Sequence, residues 1–239
     1  MPTRYDGAVE LTGNAIDLLA DLRPQRYGFG STDEVVNPIV EPQWAGIRVL
    51  AAIDGGLAAV RDEDGAPFTE RPLVERALER AVRAQAAILD GFLTKQPTEN
   101  VVYEPPKADV LTLGQFVAKP FFGIRRDHQK EAAQEREHLV EAATFREDEM
   151  VAFVATDLLW LDGDSLLDVP LLERKRLLES VIEPAELVRL GQYVRPPLQT
   201  WIATWRRFGF IGVSYRAANS RYHPGEERPD WTLVPMPRR

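Results

Sequence analysis

The chain has 239 residues, 44% of them hydrophobic and none of them cysteine, so it can fill a sizeable core but cannot use disulfides, thiolate metal ligands or a cysteine nucleophile. A formal charge of -8 and a pI near 5.1 argue against a non-specific nucleic-acid coat, whose affinity comes from clustered Lys and Arg releasing counterions. No stretch approaches the ~20 apolar residues of a membrane helix, and "MPTRYDGAVELTG" lacks a signal-peptide pattern, so a cytoplasmic location is the default expectation.

In chain order, "AIDLLADL" (residues 15–22) has helical spacing before Pro24, and the loop-like "RYGFGSTDEVVNP" follows; residues 1–37 are expected to form a peripheral segment on one domain spanning 38–239. "IRVLAAIDGGLAAVRDEDG" predicts a hairpin turning at Asp54-Gly55. In "RPLVERALERAVRAQ", Val74, Leu78, Ala81 and Val82 recur at steps of three and four after Pro72, which predicts a helix with one face on a sheet. "AAILDGFLT" predicts a strand interrupted at Asp90-Gly91, residues 103–125 a loop-rich section, and "RDHQKEAAQEREHLVEAA" an exposed helix. "MVAFVATDLLWLDG" and "PLLERKRLLESVI" predict a buried strand, a turn and a helix. "TWIATWRRFG" predicts a helix closed by Gly209, followed by strands in "FIGVSYRA" and "DWTLVPM". Strands and helices mix without strict alternation, which predicts an α+β fold with mostly antiparallel sheet.

Chemistry-bearing residues are sparse. His128, His138 and His223 lie in polar surroundings without metal-ligand spacing, and neither a Ser-His-Asp arrangement nor a Gly-rich phosphate loop is present. Only five residues are lysines (Lys95, Lys107, Lys119, Lys130 and Lys175), which limits any mechanism that needs an amine nucleophile.

The segments "QWAGIR" (43–48), "LDGF" (89–92), "VATDLLWLDGDSLLDVPLLERKRLLE" (154–179), "IGVSYRAANSRYHPG" (211–225) and "DWTLVP" (230–235) resemble, in order, the motifs of the adenylation (nucleotidyltransferase) domain of ATP-dependent DNA ligases. The resemblance implies an ATP-grasp-like fold of mostly antiparallel sheets flanked by helices; with the sequence ending at Arg239, no OB-fold domain is expected. It also implies a lysine that attacks the α-phosphate of ATP, and there this chain departs from the pattern. Gln43 takes the place of that lysine and Ala45 that of the aspartate, while Gly46 and Arg48 are kept. Phe92 follows Asp90 and Gly91 where the family has its ribose-binding glutamate, and Thr156 fills the slot of an aromatic that stacks on adenine. Ile211 replaces a metal-linked glutamate, Arg216 a lysine, and Leu233 and Pro235 the two lysines that bind triphosphate.

A carboxamide cannot serve as the nucleophile, because its nitrogen lone pair is delocalised into the carbonyl. Gln43, Arg48, Asp90, Phe92, Thr156, Ile211, Arg216 and Leu233 are therefore expected to line a vestigial pocket with no catalytic residue, no metal and no cofactor. Lys95 is expected to point away from Phe92 by strand alternation. The resulting expectation is a degenerate ligase-like domain acting as a nucleic-acid- or protein-binding module in DNA repair. Its partner would be DNA or a repair protein, and Arg206, Arg207, Arg216, Arg221 and Arg228 the DNA contacts. Two alternatives stand beside it: an active ligase or nucleotidyltransferase using ATP and Mg through an unrecognised amine, and a nucleotide sensor that does not react.

Overall fold

The computed structural model describes residues 13–96, 145, 149–210 and 212–236. The loop-rich section and the polar helix expected between residues 103 and 143 lie outside the described residues, as does Ile211.

Two sheets carry the fold. The central hairpin comprises β3 (Ile47–Asp54) and β4 (Leu57–Asp62), which reverse through Gly55 and Gly56, both with positive φ. β5 (Ala86–Thr94) pairs with β3 on one side and with β6 (Ala152–Leu161) on the other, and β7 (Asp164–Ser165) and β8 (Val188–Leu190) flank β6. A second sheet has the order β1 (Arg26–Phe29), β10 (Glu227–Pro235), β9 (Gly212–Ala217), β2 (Pro38–Pro42). All pairings are antiparallel except β1 with β10 and β6 with β8. The architecture is α+β, with mostly antiparallel sheets flanked by four helices among the described residues.

The helices pack as their periodicity dictates. α2 (Pro72–Ala81) packs beside β4 and buries Val74, Leu78 and Ala81 in one core with Val49, Ala51 and Ile53 of β3 and Leu178 of α3 (Leu171–Val181). α4 (Gln199–Arg207) buries Trp205 in a cluster with Val40, Phe92, Val154 and Val213.

Two expectations need correction. The N-terminal segment is not peripheral over its described part. α1 (Ala15–Asp21), capped by Asn14, buries Ala15 and Leu19, and Leu22 follows at helical spacing; all three pack with Leu50, Ala52, Ile88 and Trp231 between the sheets. β1 then adds an integral parallel strand. The strand containing Asp90 and Gly91 is also continuous: β5 passes through both residues with a register shift and is buried along its whole length. Gly91 is what permits this, because a Cβ there would overlap the Val154 carbonyl and lie 2.7 Å from the Phe153 ring.

Candidate functional site

β2 ends at Pro42, and Gln43 to Ala45 carry the chain across to Gly46 and β3. The Gln43 N–H donates to the Gly212 carbonyl at 2.9 Å, which fixes this loop to the start of β9. Ala45 is held from both sides: its N–H donates to Gln96 Oε1 at 2.8 Å, and its carbonyl accepts from Thr94 Oγ1 at 2.6 Å. Gly46 has φ 148°, and a Cβ there would overlap the Leu93 carbonyl.

Around this loop the site is apolar. Trp44 meets Phe210 edge-on with centroids 4.9 Å apart, and both belong to one buried cluster with Phe92, Val154, Trp205 and Met236. Phe92 is only 6% exposed. The benzyl group therefore sits in closed packing at the position where the resemblance places a ribose-binding carboxylate.

Deeper between the sheets lies a buried charge network. Arg48 donates from Nε and Nη2 to the two oxygens of Asp90 at 3.1 and 2.6 Å, and from Nη1 to the Gln25 carbonyl at 2.6 Å. Tyr222 donates to Asp90 Oδ2 at 2.7 Å and accepts from the Gln25 N–H. Burial opposes the charge on Arg48, yet Asp90 more than offsets it and holds the guanidinium protonated. On the far side, Arg174 grips Asp157 in a bidentate pair at 2.8 and 2.9 Å. Arg216 bridges Asp157, at 3.1 Å, to Glu41, and Glu41 also takes the Lys175 ammonium. The network thus joins four cations to three carboxylates, and the Arg216 guanidinium lies 4.7 Å from the Trp231 ring centroid.

The expected pocket residues thus separate by role. Arg48, Asp90 and Arg216 join the network. Thr156 is buried and donates to the Asp90 carbonyl at 3.2 Å, Phe92 packs in the apolar cluster, and Leu233 lies half-buried opposite Ser214. Lys95 is exposed and pairs with Glu149 at 3.1 Å.

Arg216 needs correction as a DNA contact, since a fully buried guanidinium bonded to Glu41, Asp157 and the Thr156 carbonyl cannot reach a duplex. The remaining arginines do not form one patch either. Arg206 and Arg207 end α4, beside the Gly212 end of β9, where Pro235 is paired. Arg228 lies near the opposite end of β10 from Pro235, and its partner is Glu226 at 3.7 Å. Arg221 is exposed beyond the other end of β9.

Glu41, Asp157, Arg174, Lys175, Tyr222 and Gln25 were not singled out from sequence. A signal existed for two of them: Leu171, Arg174, Lys175 and Leu178 share one helical face, so both cations travel inward with the leucines.

Residues 37–232 match the family profile described as the ATP dependent DNA ligase domain. The chain is 27% identical to a DNA ligase of Thermococcus fumicolans over 83% of this chain and 36% of that protein. It is 26% identical to the multifunctional non-homologous end joining DNA repair protein LigD of Mycobacterium tuberculosis H37Rv over 80% of this chain and 20% of that protein. It thus spans about a third and a fifth of these relatives. Among solved structures, the ligase domain of M. tuberculosis LigD superposes with a TM-score of 0.61 at 22% identity, covering 90% of this chain and 59% of that one. Mycobacterial DNA ligase D complexed with ATP and MES gives 0.61 at 23%, covering 90% and 60%. Both likenesses establish the adenylation-domain fold. No helix among the described residues is long and apolar enough to cross a membrane. Because the family match runs through both sheets, from β2 into β10, the chain belongs to the ATP-dependent DNA ligase domain family.

Proposed function

We propose that this chain keeps the ligase-domain fold without its adenylation chemistry and serves DNA repair as a module that holds nucleic acid or a protein partner. The observation that carries this is the closed apolar packing around Gln43, where Phe92 and Trp44 are buried with Phe210 and Trp205. A nucleotide would need a ribose contact where Phe92 packs, phosphate contacts where Leu233 and Pro235 stand, and a nucleophile where Gln43 offers an amide. Glu41, Asp90 and Asp157 are already neutralised by buried cations, so these residues do not fit ATP and Mg. The repair setting comes from the relatives, whose names describe DNA ligation and end joining.

Incubation of the full chain with ATP and Mg²⁺ should leave its intact mass unchanged. An adenylate adduct would overturn the proposal and favour the second reading, an active nucleotidyltransferase with another amine. Under that reading the amine to consider is the buried Lys175, paired with Glu41, where burial lowers its pKa below the usual lysine range and Glu41 opposes the shift. An adduct mapped to Lys175 would identify the amine. Gln43→Lys alone should not restore nick sealing, because Ala45, Phe92, Leu233 and Pro235 each leave a further contact missing. Sealing by that single variant would show that the apolar cluster opens.

A further inference from the structure

β1 is the outer strand of its sheet, and among the described residues it pairs with β10 alone. The Arg26 and Gly30 N–H groups donate to the Glu226 and Leu233 carbonyls at 2.8 and 2.9 Å. Strand alternation therefore turns the N–H and C=O of Tyr27 and Phe29 toward the open edge, which offers a template for a further strand. Phe29 is 45% exposed there, and Val36, in the loop after β1, is exposed as well.

A bulge interrupts the pairing of β1 with β10. Tyr27 stands opposite Arg228 but Gly28 opposite Thr232, so β10 places Pro229, Asp230 and Trp231 within one step of β1. A cavity of about 130 Å³ lies at this bulge, walled by Gly28, Phe29, Glu34, Pro229, Trp231 and Thr232. Two oxygens of the segment, Asp230 Oδ1 and Thr232 Oγ1, are buried without a hydrogen-bond partner. Thr232 is only 3% exposed, so its hydroxyl has no bulk water to turn to, and a buried polar group left unpaired is destabilising. Glu34 is the one charged side chain in the wall and has no ion-pair partner among the described residues. The cations of the two strands are placed elsewhere: Arg228 pairs with Glu226, and Arg26 stands opposite Glu227.

We propose that this edge binds an extended protein segment, which adds a strand to β1 and places an arginine side chain in the cavity against Glu34 and Thr232. This inference rests on the binding-module reading above and takes its protein arm. The volume decides against a nucleotide, since sites for drug-sized ligands run to about 300–1,000 Å³, whereas this cavity suits a single side chain. A guanidinium brings five N–H donors to oxygens that lack one, and its planar face suits the Phe29 ring. Trp231 supplies only a wall, because its ring already holds Arg216, Tyr27 and Tyr222. The charge decides against nucleic acid, whose phosphates the Glu34 carboxylate repels. Backbone pairing along β1 would then give affinity, and the cavity would give the choice of side chain.

The test is fluorescence anisotropy of a labelled seven-residue peptide, alternating valine and threonine around a central arginine, titrated with the full chain. The peptide should bind saturably, and citrulline in place of its arginine, which keeps the shape and removes the charge, should weaken binding about tenfold. Methylation of the peptide nitrogens that face β1 should weaken it too, whereas methylation of the other edge should not. Glu34→Gln should cost about tenfold in affinity, and Gly28→Ala should weaken binding by narrowing the cavity. Both variants keep the fold, because Glu34 is exposed and a Cβ at Gly28 meets nothing closer than 3.5 Å. Thr232→Val should weaken the peptide while leaving stability to urea unchanged or higher, since it removes a hydroxyl that folding leaves unpaired. No binding of the peptide, equal binding of its citrulline form, indifference to Glu34→Gln, lost stability in Thr232→Val, or tighter binding of labelled oligo-dT would each overturn the proposal. A chain that takes no adenylate yet ignores the peptide loses this inference alone, and one that becomes adenylated yet binds as described loses only the reading beneath it.

Discussion

Asp157→Ala should strip the protein of much of its stability, because the lost carboxylate answers two buried guanidiniums at once. Asp157 is fully buried and answers two guanidiniums, Arg174 through both oxygens and Arg216 through one. Removing one partner of a buried pair costs about 3–5 kcal/mol, since the abandoned charge stays desolvated. Arg174 would lose its carboxylate outright while Arg216 keeps Glu41, so the cost falls within that range, a large part of the about 5–15 kcal/mol that stabilises a typical domain. Asp157→Asn keeps the shape and loses the charge, so urea denaturation of that variant isolates the electrostatic part. Arg228→Ala is the control: its exposed pair with Glu226, at 3.7 Å, should be worth no more than about 0.5 kcal/mol. If the two substitutions cost the same, the network does not hold the sheets together as described.

The same carboxylate sets an acid limb. Burial alone would raise the Asp157 pKa, but Arg174, and then Arg216 and Lys175, bring it below the ordinary carboxylate value. A group depressed in the folded state contributes stability that is fully present above its unfolded pKa, near 3.9, and is lost as pH falls through the lower folded value. Stability to urea should therefore decline on acidification below about pH 4, and Asp157→Asn should flatten that limb. An unchanged limb in the variant would assign the acid sensitivity to other carboxylates.

Much of the fold was legible because periodicity and turn chemistry act locally. Val74, Leu78 and Ala81 announce the buried face of α2, and Asp54-Gly55 announces the β3–β4 hairpin. The N-terminal segment was misjudged for a non-local reason. Ala15, Leu19 and Leu22 are too few to show a core helix by themselves, and only β10, some two hundred residues on, provides the strand beside β1. The charge network was hidden in the same way: Glu41 reads as one polar residue in "PIVEPQW", and Lys175 and Arg216 become its partners only once α3 and β9 converge on β2. The departure at Gln43 from the motif was visible in the sequence, but the packing of Phe92 with Trp205 and Phe210 becomes visible only when distant segments meet.

Between Gln43 and Arg48, Gly46→Ala should be among the most damaging substitutions, and Gln43→Ala among the least. Gly46 has φ 148°, a conformation that side chains rarely adopt, and its Cβ would overlap the Leu93 carbonyl, with the Leu93 carbonyl carbon 3.0 Å away and the Thr94 Cα at 3.2 Å. These are backbone atoms of β5 locked between β3 and β6, so neither side can yield without breaking ladder hydrogen bonds. Strained backbone of this kind costs about 1–3 kcal/mol, and the overlap adds to it, which puts the expected loss at about 3 kcal/mol or more in urea denaturation. Gln43 has a half-buried side chain whose nearest hydrogen-bond geometry, to the Trp44 carbonyl, is a long 3.5 Å; its fixed contact is the backbone N–H to Gly212, which alanine retains. Its loss should stay within about 0.5 kcal/mol. The contrast separates two demands on this segment: the close approach of β3 to β5 requires a glycine at position 46, whereas folding places little demand on the side chain at position 43. If Gly46→Ala instead folds with ordinary stability, the glycine answers to a ligand that approaches this backbone, and the site retains more of its ancestral use than the packing around Phe92 allows.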